Sequence, residues 1–362
     1  MTDQFKERYI SDRLQEFSAY YSNRLSYAQV ANLISRVTGD RQLSDQKVRQ
    51  LVVDKTVEIS QRLQNEVKEQ LSNPELIFPK IKEEIEIYNP KSREILVFED
   101  AIQVRGQKLN RVHKQIVKKD SHLNDVKKKS SPVFANIIML QKKNKEFEYM
   151  MAPINDQGQE IISLPDVLKN RVLQEYGKES EPLPIVAITD GAKVIRQDLY
   201  AVFGTLLVII LDWYHLGKKL RDLMSMIALN KADKDRHLKF MFYHLWRGEI
   251  YTVLDYLRKK VQAKNEEKYL ELIGYLEKHR DEIIDYQLRK KAGKMIGSGL
   301  IEKGCDQIIG HRQKKKGMSW RETGSLSLGI LRVAELNKQW EQLWFPAEAA
   351  NDSMSLQWVS NL

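Results

Sequence analysis

The sequence predicts an α/β protein, with a helical region before its sheet and an all-helical insertion near the end of the sheet. Three observations support this fold class. Apolar residues recur at helical spacing from Tyr9 to Leu71, five β-rich runs lie between 94 and 211, and no strand pattern occurs from about 215 to 291. The early strands follow one another directly and the later ones have a β-α-β order, which indicates a mixed sheet with helices on its faces.

Residues 1–85 are predicted to form a helical domain. Ser26 is followed three residues later by Gln, the pattern of a capping box, and this predicts a helix that begins at Tyr27. Gly39 interrupts the helical spacing, and Ser44 is placed to cap a second helix.

Two short helices around a glycine-containing turn are typical of a helix-turn-helix unit. Its second helix would present Lys47 and Arg49 near the N-terminal end, where a recognition helix meets the major groove of DNA. The packing of any small helical bundle produces the same pattern, so the local sequence leaves that alternative open.

The predicted sheet follows this region. Its five strands are the runs rich in β-branched, aromatic and other apolar residues at 94–104, 133–140, 146–151, 184–189 and 205–211. Helices are predicted at 164–176 and 193–202. Together these elements form the first part of an α/β domain, 93–214.

The rest of the chain is predicted to be helical. An insertion at 215–296 ends at a Gly-Ser-Gly hinge. Helices at 300–309 and 323–343 then complete the α/β domain within 297–345, and a tail follows at 346–362.

The net charge of +10 is concentrated in two segments. Residues 105–130 and residues 289–316 each carry nine basic and two acidic side chains, while the other 308 residues together have a charge of −4. Concentrated positive charge favours a polyanionic partner over a uniformly basic surface. Nucleic acid is therefore the expected class of partner.

Composition excludes several classes of protein. Cys305 is the single cysteine, so an internal disulfide and a cysteine-rich zinc module are excluded. No apolar run approaches the roughly 20 residues of a membrane span, and the first residues lack the apolar core of a secretory signal. We expect a cytoplasmic protein that has no membrane partner.

Three acidic residues stand where the ends of strands and a helix would bring them together. Asp100 lies within the first predicted strand, Asp190 follows the fourth, and Glu302 lies on the helix after the hinge. An unpaired carboxylate in an apolar core is costly, and a shared Mg²⁺ ion would remove that cost because Mg²⁺ prefers carboxylate oxygens. Taken singly, an acidic turn residue and a solvated helical Glu are ordinary features, which remains the alternative for each.

The order of these acids, with a helical insertion before the Glu, resembles the RNase H-like catalytic domain of DDE transposases. The stretch DWYH (212–215) resembles the [CD]-x-x-H signature of transposases with such an insertion. GSGLIEKGCDQIIGHRQKKKGMSW (297–320) is similar to the Glu-bearing block of ISKra-type bacterial insertion-sequence transposases, which are related to the Mutator-like group. ITDGAK, LDWYHL and SYAQVANLISRVTG are similar to other blocks of that family, and the resemblance covers about 100–340.

The resemblance implies that Asp100, Asp190 and Glu302 hold two Mg²⁺ or Mn²⁺ ions. It further implies that the protein cleaves insertion-sequence ends and joins them to target double-stranded DNA, through in-line attack by water or a 3′-hydroxyl. Joining two ends calls for a homo-oligomer, at least a dimer, associated with the bacterial nucleoid. The family commonly has Asp-Gly where this sequence has Asp100-Ala101, so whether Asp100 or the adjacent Glu99 is the first catalytic acid stays open.

Asp212 and His215 are predicted to support the acidic site or to position DNA, because parallel strands would bring them near Asp190. The alternative is that Asp212 caps the helix that follows it and that His215 is a packed structural histidine.

Basic residues after Glu302 are predicted to bind the DNA backbone near the scissile phosphate: His311, Arg312, Lys314, Lys315 and Lys316. A solvated loop is the alternative reading of this run. Trp320, which follows it, is expected to pack in the core rather than to stack on a base.

Two other functions stay open from the sequence. An RNase H-like nuclease or resolvase would hydrolyse DNA without strand transfer, but hydrolysis needs neither a helix-turn-helix unit nor a long insertion. A non-catalytic DNA-binding protein derived from a transposase would be expected to have lost one of the three carboxylates or to have disordered active-site strands, and the presence of all three carboxylates argues against it.

Overall fold

A five-stranded mixed sheet forms the centre of the computed structural model, which describes residues 10–40, 43–75, 86–107, 131–178, 183–204 and 207–346. The strands are β1 (Ile95–Val104), β2 (Val133–Gln141), β3 (Phe147–Met150), β4 (Ile185–Thr189) and β5 (Leu207–Leu211). Their order across the sheet is β3-β2-β1-β4-β5; β1, β2 and β3 pair antiparallel, and β1, β4 and β5 pair parallel. The predicted mixed α/β fold class is confirmed.

Helices surround the sheet and form the two ends of the described chain. Before the sheet lie α1 (Asp12–Ser22), α2 (Tyr27–Thr38) and α3 (Asp45–Leu71). Between β3 and β4 along the chain lies α4 (Leu164–Tyr176), and between β4 and β5 lies α5 (Lys193–Phe203). After β5 come α6 (Trp213–Ile227), α7 (Lys231–Leu245), α8 (Ile250–Lys260), α9 (Glu266–Lys278) and α10 (Tyr286–Lys291). The last helices are α11 (Gly299–Cys305), α12 (His311–Gln313), α13 (Glu322–Leu336) and α14 (Trp340–Trp344).

The two faces of β1 are buried against different helices. Leu96, Phe98 and Ile102 point to a core shared with α11, α13 and the helices after β5. Ile95 and Val97 point to a second core formed with α4 and α5. Side chains alternate between the faces of a strand, so Asp100 lies on the first face and Glu99 on the second.

The N-terminal helices begin as the sequence predicts. Ser26 and Gln29 form the complete capping box of α2, and the Ser44 hydroxyl accepts a hydrogen bond from the Lys47 N–H at the start of α3. The helix α3 then continues for 27 residues, so its second half leaves the N-terminal bundle. Near the middle of α3, the Thr56 hydroxyl donates to the Ser327 carbonyl of α13 at 3.2 Å, which fixes the N-terminal helices to the sheet region.

The five helices α6 to α10 are attached to the sheet at its β5 edge. The Tyr286 hydroxyl donates to the Leu211 carbonyl at 2.8 Å. The fully buried Arg289 forms an ion pair of 2.6 Å with Glu94, next to the start of β1. These contacts connect the end of the helical segment to both β5 and β1.

Two predicted helices have different ends in the structure. The predicted helix 323–343 divides into α13 and α14, because the Asn337 side chain bonds to both backbone groups of Tyr149 in β3 and Lys338 takes a positive φ of 61°. The predicted helix 300–309 is α-helical only to Cys305 and continues as a π-helical turn, Asp306–Gly310. Both changes occur where the helix packs against the sheet region.

Several predicted segments lie outside the described residues. They include most of the basic segment 105–130 and nearly all of the tail 346–362. No helix in the described ranges combines the length and apolar character that crossing a membrane requires.

Candidate active site

The strand register aligns three aspartates along one edge of the sheet. Phe98 of β1 lies opposite Ile188 of β4, so Asp100 and Asp190 both lie two residues beyond this pair. Thr189 lies opposite Leu211 of β5, which places Asp212 one residue further, next to Asp190. Carboxyl ends of parallel strands meet at the same edge, which is where such sheets commonly bind ligands.

Asp190 is held by the tight turn that leaves β4. Its Oδ1 accepts a hydrogen bond of 2.8 Å from the Ala192 N–H. Gly191 has φ of +85°, and a Cβ at this position would lie 2.7 Å from the His279 ring. Glycine is therefore required by the backbone and by the helical segment that packs on the turn. His279 in turn contacts Glu282 at 2.5 Å.

Asp212 connects β5 to the helix that carries Glu302. The Asp212 side chain is fully buried, its Oδ1 accepts from the His215 N–H at 2.7 Å, and its Oδ2 accepts from the Ser298 N–H. Burial opposes ionisation, but the hydrogen bonds from His215 and Ser298 keep the pKa of Asp212 below its ordinary value. The helix cap considered as the structural alternative is present, and the same carboxylate also anchors the start of α11.

Gly297 makes this anchor possible. A Cβ at Gly297 would lie 2.6 Å from the Tyr214 ring and 3.4 Å from the Asp212 carboxylate. The absence of a side chain at Gly297 lets the chain approach β5 closely without displacing the Tyr214 ring.

His215 lies between Asp212 and Glu302. Its Nδ1 is 3.5 Å from the Asp212 Oδ1, and its Nε2 is 3.7 Å from the Glu302 Oε1. The neighbouring Asp212 carboxylate raises the pKa of His215 despite partial burial, and the charges of Glu302 and Asp190 act in the same direction. His215 therefore supplies positive charge to the acidic site over a wider range of pH than a free histidine.

The environment of Asp100 includes the other two predicted catalytic acids. Burial raises the pKa of the half-buried Asp100, and the nearby carboxylates of Asp190 and Glu302 raise it further, while the Ala101 N–H and His215 oppose them. Cys305, one turn after Glu302, is buried next to Asp100, and burial followed by the Asp100 charge raises the pKa of its thiol. The helix α11 thus lies directly over Asp100.

Glu99 has a different environment. Its side chain is 3% exposed on the opposite face of β1. Burial, followed by the charges of Asp198, Asp190 and Asp100, raises the pKa of Glu99 to about 8. Its Oε2 has no hydrogen-bond partner among the described residues. Glu99 is therefore protonated at neutral pH and belongs to the core rather than to the acidic edge.

The donor atoms at this edge are of the type that Mg²⁺ prefers, since Asp100, Asp190 and Glu302 all offer carboxylate oxygens. Within the described ranges, however, no group of three or more His, Cys, Asp or Glu side chains is arranged to hold a metal ion. The Asp100 Oδ1 accepts from the Ala101 N–H at 2.7 Å, and Glu302 turns towards His215. Joint coordination of a metal would therefore require these carboxylates to rotate.

Most of the residues predicted to contact DNA are exposed to solvent or partly exposed. Lys47 is exposed on the first turns of α3, and Arg49 is partly exposed there. His311 and the three lysines 314–316 are exposed, and His311 pairs with Asp306 at 2.8 Å.

Arg312 differs from its neighbours because it is buried, with 5% exposure. It therefore does not belong to the exposed basic run in which the sequence places it. Trp320 is buried as expected, and its indole N–H donates to the Gln313 carbonyl at 3.0 Å.

The sequence does not reveal the groups behind Asp190. His279 packs against the turn that follows Asp190, and Glu282 forms an ion pair of 2.8 Å with Arg196 of α5. Both residues lie some 90 residues further along the chain than Asp190. No spacing signal links such distant residues. Cys305 lies one helical turn after Glu302, and this spacing is the signal in the sequence that places Cys305 near the acidic residues.

Comparisons of the chain with protein-family models, with curated proteins and with solved structures gave no match.

Proposed function

We propose that this protein is a DDE transposase that catalyses metal-dependent cleavage and strand transfer of DNA at insertion-sequence ends. One observation carries the proposal. Asp100, Asp190 and Glu302 come from three distant parts of the chain, yet the charges of Asp190 and Glu302 both act on Asp100. Such a concentration of carboxylates suits divalent-cation chemistry on phosphodiesters.

The architecture supports the finer assignment of an RNase H-like core. Three antiparallel strands are followed by two parallel ones, and a helical segment separates β5 from the helix that carries Glu302. The helices α2 and α3 around Gly39 support a helix-turn-helix unit, with Lys47 and Arg49 on the second helix.

The proposed chemistry assigns a role to each acidic residue. Asp100, Asp190 and Glu302 would hold two Mg²⁺ or Mn²⁺ ions, which when bound would activate the attacking oxygen and neutralise charge on the leaving oxygen. Asp212 fixes α11 to β5 and so keeps Glu302 close to Asp190. His215 lies beside Glu302, where its protonated form can contact a phosphate oxygen of the DNA.

The proposed partners are the double-stranded DNA of the element ends and of the target. Simultaneous joining of two ends requires two active sites, so we include a homo-oligomer, at least a dimer, that acts on DNA in the bacterial nucleoid.

The proposal is tested with the full-length protein and DNA from the boundaries of its own genetic element. The wild-type protein with Mg²⁺ should join pre-cleaved ends to a target duplex, while Asp190→Asn and Glu302→Gln should bind the ends but not join them. Joining by either variant at the wild-type rate would reject the acidic triad. Hydrolysis without joining by the wild-type protein would favour the nuclease, and binding without either reaction would favour a non-catalytic protein.

A further inference from the structure

A cleft of about 610 Å³ separates the N-terminal helices from the segment between α12 and α13. Tyr27 at the start of α2 and Arg49 on α3 line one side. Arg321 and Trp320 line the other side, and Arg312 lines the cleft as well. The described residues around it include no Asp or Glu.

Arg312 is a buried charge without an acidic partner. Its Nε donates to the Ser22 carbonyl at 2.8 Å, its Nη1 contacts the Met318 sulfur at 3.3 Å, and its guanidinium lies over the Trp320 ring at 4.9 Å. No carboxylate of the described chain forms an ion pair with it, and burial lowers the pKa of its guanidinium. Buried charges in proteins are normally paired, because their desolvation is costly.

Tyr27 presents a second unsatisfied group to the same cleft. Its hydroxyl is shielded from solvent and has no hydrogen-bond partner among the described residues. Burial raises the pKa of Tyr27 to about 12, although the charges of Arg312 and Arg49 oppose this shift, which places both guanidinium groups near the hydroxyl. The phenol is a donor that would complement an anion between these arginines.

Arg49 and Arg321 complete the basic lining. Neither forms an ion pair with a carboxylate among the described residues, and the Arg321 Nε donates to the Gln107 side chain at 3.2 Å. Three arginines and a phenol therefore surround one open space that lacks negative charge. Arginine is the side chain best suited to phosphate, since its planar fork can bind two oxygens at once.

We propose that this cleft binds a phosphodiester group of the DNA backbone, with Arg312 and Tyr27 on its phosphate oxygens and Arg49 and Arg321 at the rim. The inference rests on the DNA-binding part of the proposed function. A DNA strand is favoured over a free anion because the cleft is an open groove. Its walls belong to the predicted recognition helix and to the segment that follows the Glu302 helix, where Lys314, Lys315 and Lys316 are exposed.

The proposed contact has a consequence for how DNA is positioned. A strand bound here would touch the N-terminal helices and the segment after α11 at the same time. Phosphate contacts fix the register and orientation of a protein on DNA without reading its sequence. The cleft would thereby fix the position of a DNA strand relative to both the predicted recognition helix and the acidic edge of the sheet.

The test measures binding of a fluorescently labelled duplex of arbitrary sequence by full-length protein, using anisotropy over a series of salt concentrations. The double variant Arg49→Gln/Arg321→Gln should bind about tenfold more weakly, and the slope of log K against log[salt] should fall by about 1, because the contact with one backbone phosphate contributes about 0.9. Tyr27→Phe should weaken binding by a smaller factor. The double variant changes only residues at the rim of the cleft, and Tyr27→Phe removes only a hydroxyl group. Neither variant therefore carries the risk of misfolding that replacement of the buried Arg312 would bring.

The matched control is Arg62→Gln. Arg62 lies on the same helix as Arg49, has 56% side-chain exposure and pairs with Glu58. Its replacement should leave the affinity and the salt slope within error of the wild type. Thermal unfolding of every variant checks that the fold is intact.

The outcomes separate this inference from the function it rests on. If the wild type binds DNA and the cleft variants match Arg62→Gln in affinity and slope, the cleft assignment is wrong and the transposase proposal stands. If the wild type does not bind DNA, both fail. If inorganic phosphate raises the melting temperature of the wild type but not of the double variant, while DNA binding is equal in both, the cleft is a small-anion site and the DNA assignment is overturned.

Discussion

The acidic edge of the sheet and the basic cleft are opposite in charge and differ in how they are built. The acidic edge collects Asp100, Asp190 and Glu302 from separate elements, and His215 balances their charge only in part. The cleft places Arg312 beside Tyr27 with no acid among the described residues that line it. The segment 299–321 reaches both regions, with Glu302 near one end and Arg321 at the other. One region is suited to cations and the other to anions.

The largest expected effect distinguishes the two faces of β1. Asp100→Asn should reduce strand transfer by about 10³-fold or more, because several kcal/mol of charge stabilisation are lost. Glu99→Gln should retain joining, since Glu99 is already neutral at pH 7 and Gln has the same shape. Rates of joining of pre-cleaved ends measure both effects. The opposite result would make Glu99 the first catalytic acid.

Glu99 should also determine part of the pH dependence of stability. In the unfolded chain Glu99 ionises near pH 4.5, whereas the folded protein keeps it protonated up to about pH 8. The wild type therefore loses stability as the pH rises through this interval. Glu99→Gln should raise the free energy of unfolding by about 2–4 kcal/mol at pH 8 and leave it unchanged near pH 4. Urea unfolding at the two pH values measures the difference, and an equal change at both would contradict it.

Asp212 tests how the acidic edge is held together. Asp212→Asn replaces one of the two buried oxygens that accept backbone hydrogen bonds with an NH2 group, and should lower the free energy of unfolding by about 1.5–3 kcal/mol. Joining should slow because α11 loses its anchor, while DNA affinity should stay unchanged because the basic cleft is untouched. The control is Asp233→Asn, which changes a cap-associated aspartate on α7. Equal destabilisation by the two variants would argue against a special role for Asp212.

The smallest expected effect concerns stability on the cleft side. Without DNA, Tyr27→Phe should stabilise the protein by about 1 kcal/mol, because the hydroxyl it removes is buried and unpartnered. The same variant should weaken DNA binding. Thermal unfolding in the absence and presence of a duplex measures both changes, and a loss of stability in the absence of DNA would mean that the hydroxyl already has a partner.

The sequence predicts the elements whose signals are local. The capping box at Ser26 and the cap at Ser44 act within four residues, so both helix starts are correct to the residue. The runs ILVF and IVAIT contain the apolar residues of two central strands, and their ends place Asp100 and Asp190 at one edge. The DNA-binding and catalytic roles stay predictions.

Tertiary contacts account for what the sequence could not predict. The break between α13 and α14 depends on Asn337 binding the backbone of Tyr149, far away in sequence. Arg312 lies within a basic run that looks uniformly exposed, and its contacts with Ser22, Met318 and Trp320 accompany its burial. His279 reaches Gly191 through the folding of the helical segment, which periodicity does not encode.

The π-helical turn Asp306–Gly310 changes the direction in which side chains after it point, relative to those before it on the same helix. A π turn contains about one residue more than an α turn, and one residue corresponds to about 100° of rotation around a helix axis. An uninterrupted α-helix from Glu302 would therefore rotate Arg312 by about 100° relative to the helix face that carries Glu302. The extra residue sets the direction of the Arg312 side chain independently of the direction of the Glu302 side chain.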